Sequence, residues 1–431
     1  MSNPVTGTPT FGEAVRFWTK LGFISFGGPA AQIAIMHTEL VEKRRWISES
    51  KFLHALNFCM LLPGPEAQQL ATYIGWLLHG TKGGIAAGAL FVLPSMLILW
   101  LLSYAYIAYG HVPALAAFFH GLQPAVLALV LLAVLRIGSK VLKNTPMRAI
   151  AAMAFVAIFF FKVNFALIVG VAGLIGFLGG KYSPKQFLVL KGHGDDGGSV
   201  DDTEPVRMSR TLRVLATCLA LWWLPLIAVG LALGWKSVWF QQGLFFSKAA
   251  LVTFGGAYAV LPFVAQKAVE QYGWLTMPQM MSGLALAETT PGPLIMVLQF
   301  VGFVGAWQNP GTMSPLAAAT LGALVTTWAT FLPCFLFILV GAPYVERLRN
   351  VKLMTSALSA ITAAVVGVVL NLAVWFGLHA LRPEPGAFNV YAAVVAVICF
   401  VGMKQFKWNV IPTILLSGVA GVVWALVIRA W

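Results

Sequence analysis

Two glycine- and proline-rich motifs occur twice in this chain at the same spacing. Phe26-Gly27-Gly28 and Pro63-Gly64-Pro65 return, without a gap, as Phe254-Gly255-Gly256 and Pro291-Gly292-Pro293, 228 positions later in each case. Glycine permits left-handed backbone and proline removes an N–H donor, so each motif should interrupt a helix. In a membrane protein, matched interruptions in two halves of the chain indicate where a binding site lies.

The composition places these motifs in a membrane protein. The chain is 59% hydrophobic and 10% charged, whereas a soluble domain averages about 25% charged residues. We interpret the excess of 28 Lys and Arg over 14 Asp and Glu as the positive-inside bias of membrane proteins and expect no nucleic-acid partner. The polar N-terminus, Met1–Thr10, lacks a basic region before an apolar core, so no cleaved signal peptide is expected.

Apolar stretches of about 20 residues, the length that crosses a bilayer, divide the chain into two matching halves. They run over 14–36, 52–78, 83–109, 113–135, 147–161, 165–179, 211–234, 239–265, 279–306, 315–342, 353–380, 388–402 and 408–429. Each half holds six, and the segment left between them, 211–234, inverts the second half relative to the first. The predicted fold is an all-α polytopic membrane protein with two inverted-topology repeats and broken or re-entrant helices at the motifs.

The domain boundaries follow from this pattern. Residues 11–180 form the N-terminal repeat, 181–210 a flexible cytoplasmic linker, 211–234 a linking transmembrane helix and 239–431 the C-terminal repeat. The linker carries several acidic residues among glycine and serine, which is typical of a flexible segment. An acidic metal site is the weaker alternative, because ligand spacing is absent.

The distribution of Lys and Arg places the N-terminus and the linker in the cytoplasm. If all thirteen segments span, eight basic residues stand on the opposite side, and four of them cluster in one loop: Lys43, Arg44, Arg45 and Lys51. If the motif-bearing segments instead dip into the membrane and return, these four join the cytoplasmic side. The charge rule therefore favours re-entrant hairpins at the motifs.

The interrupted helices have a chemical use. A half-helix that begins inside the membrane exposes unpaired N–H groups and the positive end of its dipole, which together suit an anion. A structural kink or close packing through small residues is the alternative for a single motif, and duplication makes it less favoured. The candidate substrate-binding residues at the motifs and beside them are Ser25, Gly27, Gly28, Pro63, Gly64, Gln68, Gln69, Thr253, Gly255, Gly256, Thr289, Thr290, Gly292 and Gln299.

Two lysines complete the predicted anion site. Lys20 and Lys248 each lie six residues before an FGG motif, inside apolar stretches. A cation within the membrane is costly and is a functional candidate by default, although snorkelling to the interface explains it equally well. Arg16 has Leu244 as its counterpart and is expected at the interface.

Two carboxylates make the halves unequal. Glu66 follows the first PGP and Glu288 precedes the second, and their counterparts are Leu294 and Met60. Glu66, Glu288 and His54 are therefore candidates for carrying a coupling proton; for the carboxylates, a static ion pair is the equally open alternative.

The single cysteines and scattered histidines lack the spacing of metal or cofactor ligands. No metal, no cofactor and no catalytic residue is therefore predicted, and the protein is not expected to be an enzyme.

The same motifs carry a family resemblance. Phe26-Gly27-Gly28-Pro29, Leu62-Pro63-Gly64-Pro65, Phe254-Gly255-Gly256 and Glu288-Thr289-Thr290-Pro291-Gly292-Pro293 resemble the chromate transporter family, in its long two-domain form. The resemblance implies efflux of chromate across the bacterial inner membrane and chromate resistance, with sulfate as a close analogue.

Other functions remain as alternatives at this point. A sulfate or other anion importer would have the same fold, and a membrane redox enzyme would need cofactor ligands that the sequence does not supply. No GxxxxGK[ST] loop for an ATP-driven pump occurs. The expected partners are the small anions and the lipid bilayer, and a homodimer is the working expectation for the assembly.

Overall fold

The computed structural model describes residues 7–189, 208–344, 352–382 and 388–429, and every regular element in these ranges is helical. The first half contains α1 (Phe11–Ile24), α2 (Gly28–His37), α3 (Glu49–Leu61), α4 (Glu66–Tyr109), α5 (Pro113–Val141), α6 (Thr145–Phe159), α7 (Phe165–Tyr182) and the short α8 (Pro184–Phe187). A separate helix, α9 (Met208–Leu233), precedes the second half.

The second half repeats the order of the first. It contains α10 (Val238–Val252), α11 (Ala257–Gln266), α12 (Met277–Thr289), α13 (Val297–Gln308), α14 (Pro315–Gly341), α15 (Lys352–Leu381), α16 (Val390–Gln405) and α17 (Val410–Arg429). One turn of 3₁₀-helix, Leu294–Met296, leads into α13. Among the described residues, seven helices are long and apolar enough to cross a membrane: α4, α5, α7, α9, α14, α15 and α17.

The first FGG motif reverses the chain. Gly27 and Gly28 have φ of 89° and 77°, a backbone that glycine adopts without strain, and α2 begins there. After α2 the chain has returned to the middle of α1, because the rings of Phe17 and Trp46 are 5.4 Å apart and the Arg44 guanidinium lies 5.0 Å from the Phe17 ring. The first segment is therefore a re-entrant hairpin.

The first PGP motif forms the tip of a second hairpin that opens at the same end. α3 runs inward and ends at Leu61, and the first part of α4 returns. α4 consists of two helices that meet at a kink, where His79 and Gly80 have non-helical φ/ψ values. The His79 ring is 5.6 Å from the Phe11 ring, and its Nε2 is 2.9 Å from the Pro9 carbonyl oxygen, so the hairpin returns to the level of the start of α1.

The second half builds the same two hairpins. Phe245 on α10 and Trp274, which follows α11, have ring centroids 5.6 Å apart. Gln308 at the end of α13 donates from Nε2 to Oε1 of Gln279 at the start of α12, over 3.2 Å. The four motif-bearing segments predicted at 14–36, 52–78, 239–265 and 279–306 therefore do not each span. This confirms the re-entrant hairpins that the charge rule favours.

The two pairs of hairpins open at opposite ends of the molecule. α4 leaves the opening of the first pair at Gly80 and reaches the opening of the second pair, where Trp100 Nε1 donates to Thr320 Oγ1 over 3.1 Å. There the Tyr104 and Trp307 rings are 6.3 Å apart. This arrangement confirms the prediction of inverted-topology repeats.

The long helices hold the two halves together through glycines. A Cβ on Gly121 of α5 would lie 2.6 Å from the Ser417 carbonyl oxygen of α17, and one on Gly176 of α7 would lie 2.6 Å from the Ser356 carbonyl oxygen of α15. Small residues permit this close approach of helices within a membrane. Of the linker predicted over 181–210, residues 190–207 lie outside the described residues; α7 reaches Tyr182 and α9 begins at Met208.

Candidate functional site: two crossings of broken helices

The tips of the four hairpins meet in two pairs, and each pair joins the two halves. The Gly292 N–H donates to the Ser25 carbonyl oxygen, and the Gly64 N–H donates to the Thr253 carbonyl oxygen, each over 2.7 Å. We call the contact between Ser25, directly before the first FGG motif, and Gly292 of the second PGP motif the first crossing. The contact between Thr253, directly before the second FGG motif, and Gly64 of the first PGP motif is the second crossing. Each crossing combines the FGG motif of one half with the PGP motif of the other.

Glycine is required at the centre of both PGP motifs. Gly64 has φ of 130°, and a Cβ there would lie 2.6 Å from Gln69 Nε2 and 2.9 Å from Cys334 Sγ. Gly292 has φ of 92°, and a Cβ there would lie 2.6 Å from Ser95 Oγ. The two motifs therefore need glycine both for backbone conformation and for space.

Hydrogen-bond donors remain open at the first crossing. The α2 helix begins at Gly28 without a side-chain hydrogen bond to cap it, and Gly27 is exposed. Ser25 is fully buried, and its hydroxyl has no hydrogen-bond partner within the described part of the chain. Gln32 braces the backbone, since its Nε2 donates to the carbonyl oxygens of Ser25 (3.1 Å) and Gly292 (2.5 Å).

The second crossing contains carboxylates. Oε1 of Glu66 lies 4.0 Å from the position that a Cβ on Gly256 would take. In the first turn of α11, the Tyr258 hydroxyl donates a short hydrogen bond to Oε1 of Glu288, a buried residue three positions before the PGP motif of the first crossing. α5 supplies two exposed basic side chains: Arg136 interacts electrostatically with Glu288, and Lys140 with Glu66.

Lys20 and Lys248 lie on the helices that lead to the crossings and not at the crossings themselves. Both are exposed and lie in the last two turns of α1 and α10, five residues before Ser25 and Thr253. At 1.5 Å per residue this is about 7.5 Å along the helix axis. The anion and snorkelling roles both remain proposals for these lysines.

Most of the predicted polar residues donate to nearby protein atoms. The hydroxyls of Thr253, Thr289 and Thr290 donate to carbonyl oxygens of their own helices. The side-chain amides of the predicted glutamines also have partners: Gln68 donates to Thr72, Gln69 to the Pro63 carbonyl oxygen, and Gln299 to the Met96 carbonyl oxygen. These residues support the shape of the breaks, and Ser25 is the predicted hydroxyl that has no hydrogen-bond partner among the residues described. His54 lies half-buried on α3, away from the motif glycines in sequence.

The sequence prediction missed four residues of the site: Gln32, Tyr258, Arg136 and Lys140. The basic pair was assigned to a loop because the predicted segment ended at residue 135, whereas α5 continues to Val141. Their spacing of four residues could have placed them on α5, because residues four apart lie on one face of a helix. Gln32 and Tyr258 follow the two FGG motifs but occupy different positions in the repeat, so the duplication did not identify them.

Comparison with known proteins agrees with the architecture. The family model described as chromate transporter matches residues 12–177 and 240–422. The chain belongs to the chromate transporter family. It is 33% identical to a chromate transport protein of Pseudomonas aeruginosa, over 93% of this chain and 89% of that one. It is 27% identical to a chromate transport protein of Cupriavidus metallidurans, over 92% and 90% of the two chains.

A probable chromate transport protein of Synechococcus elongatus is 28% identical, over 86% of each chain. The comparison with solved structures finds no significant match. As a member of this family with several apolar helices, the protein is a multi-pass membrane protein.

Proposed function

We propose that the protein is a secondary transporter that exports chromate from the cytoplasm across the inner membrane, with sulfate as a competing analogue. The first crossing carries this proposal, because a half-helix N-terminus without a side-chain cap and a buried hydroxyl without a partner in the described part of the chain are donors suited to an oxyanion. The relatives named as chromate transport proteins supply the identity of the anion.

The physics of a dianion supports the outward direction. Moving one negative charge out of a cell with an inside-negative potential gains about 2.3 kcal/mol per 100 mV, and a dianion gains twice as much. Chromate and sulfate are both tetrahedral dianions, and a small difference in size is a weak basis for discrimination. Sulfate should therefore compete.

The orientation is part of the same proposal. Lys43, Arg44, Arg45 and Lys51 lie at or near the link between the first two hairpins, and the positive-inside rule supports a cytoplasmic position for this end. Single cysteines test it, because the four native cysteines are buried. A cysteine at the exposed Ser50 should react with an impermeant thiol reagent only from the cytoplasmic face, and one at the exposed Thr312 only from outside. The opposite labelling would reverse the orientation.

Transport itself is tested in proteoliposomes that contain the purified protein. Chromate loaded inside or outside should cross the membrane, and sulfate should slow its movement. Gly64→Ala distorts the second crossing without removing a charged group. It is the control that distinguishes flux through the protein, which this variant should lower, from leakage through the lipid. Absence of chromate flux in tight liposomes would contradict the proposal, whereas accumulation of sulfate in cells that express the protein would favour an importer.

A further inference from the structure

The two crossings are equivalent by the repeat but differ in the side chain that directly follows the PGP motif. In each, a proline of the PGP motif precedes the first turn of a returning half-helix. After Pro65 this position holds Glu66, and after Pro293 it holds Leu294. At this position, therefore, the second crossing has a carboxylate and the first crossing an apolar side chain.

Glu66 lies beside the half-helix N-terminus of the second crossing. Its Oε1 is 4.0 Å from a Cβ position on Gly256, beside the N-terminus of α11, which has no side-chain cap. Within the described residues this carboxylate takes part in no hydrogen bond, and its electrostatic interaction with a basic group is with Lys140. The partial positive charge of a helix N-terminus stabilises a carboxylate in this position.

The first crossing is open at the matching place. A Cβ added to Gly28 would meet no atom within 4 Å, and Gly27 beside it is exposed. The Ser25 hydroxyl, fully buried and without a partner among the described residues, adds a donor next to the break. Neutral donors and space for a ligand thus occur together here, with no carboxylate from the matching position.

We propose that the first crossing is the single oxyanion site of the chain, and that Glu66 acts as a tethered anion that fills the equivalent place in the second crossing. The protein then binds one tetrahedral dianion per chain although its repeat supplies two half-helix sites. This inference rests on the proposed function, since it assumes that the crossings bind the transported anion.

The number of bound anions tests the inference. Equilibrium dialysis of the purified full-length protein against radiolabelled sulfate should give one sulfate per chain. Glu66→Leu, which copies the side chain of the first crossing, should give two, and Glu66→Gln should also expose the second site. Glu270→Leu removes an exposed carboxylate far from both motifs in sequence and should leave the number at one.

The reverse exchange provides the second arm. Leu294→Glu should place a carboxylate at the first crossing and abolish binding, and the double variant Glu66→Leu/Leu294→Glu should bind one sulfate again. One sulfate in the wild type and in both Glu66 variants would overturn the assignment of Glu66, as would two in the wild type. No sulfate bound by the wild type or by any variant would instead contradict the proposed function.

Discussion

Replacing Gly292 by alanine should destabilise the protein much more than the same change at Gly28. Both glycines have a left-handed backbone, with φ of 92° and 77°. They differ in the space around them: a Cβ on Gly292 would lie 2.6 Å from Ser95 Oγ and 2.8 Å from Ser95 Cβ, whereas one on Gly28 would meet nothing within 4 Å.

The expected magnitudes follow from these contacts. Left-handed backbone costs a residue with a Cβ about 1–2 kcal/mol, and both variants bear this cost. Overpacking at Gly292 adds about 1–3 kcal/mol. Gly28→Ala should therefore lower the free energy of unfolding by about 1–2 kcal/mol and Gly292→Ala by about 2–5 kcal/mol.

Unfolding by sodium dodecyl sulfate in mixed micelles, followed by circular dichroism, measures the difference. Ser95→Gly removes both clashing atoms and leaves the Phe91 carbonyl oxygen at 3.4 Å, an ordinary contact distance. In the Ser95→Gly background, Gly292→Ala should therefore cost no more than Gly28→Ala. Equal stability of the two single variants, or an unchanged cost of Gly292→Ala in that background, would refute the structural account of the first crossing.

Two further predictions concern transport. Lys20→Met and Lys248→Met should each abolish chromate flux in proteoliposomes, while Arg16→Met should be milder; equal losses in all three would favour a role in topology over substrate binding. Glu288→Gln cannot take up a proton, so it should flatten the dependence of flux on pH, while Tyr258→Phe keeps the carboxyl group and should shift the profile without flattening it. An unchanged profile in Glu288→Gln would remove the proton role.

The duplication was enough to predict the fold, because glycine and proline act on the backbone through local sterics that a sequence records directly. The four basic residues from Lys43 to Lys51 also distinguished re-entrant from spanning segments. The pairing of the tips was beyond the sequence: nothing local to Gly64 shows that its N–H is bonded to Thr253 in the other half.

The chemistry of individual side chains was predictable only in part. Thr253, Thr289 and Thr290 have the same hydroxyl as a ligand would need, but a helix offers them a carbonyl oxygen one turn back. Ser25 is the counterpart of Thr253 in the repeat, and its hydroxyl has no such bond among the described residues. Whether a hydroxyl bonds to its own helix or remains available is decided by the rotamer and backbone of the break, which composition does not specify.

The reciprocal crossings set an order of events during synthesis. The N–H of Gly64 finds its partner only after Thr253 has been made, and the Ser25 carbonyl oxygen waits for Gly292. Until then the tips of the first two hairpins have polar backbone groups that lipid cannot satisfy, so they must stay hydrated or be shielded by the insertion machinery. The first half of the chain therefore emerges from the ribosome as an unfinished structure, and only translation of the second half allows it to close.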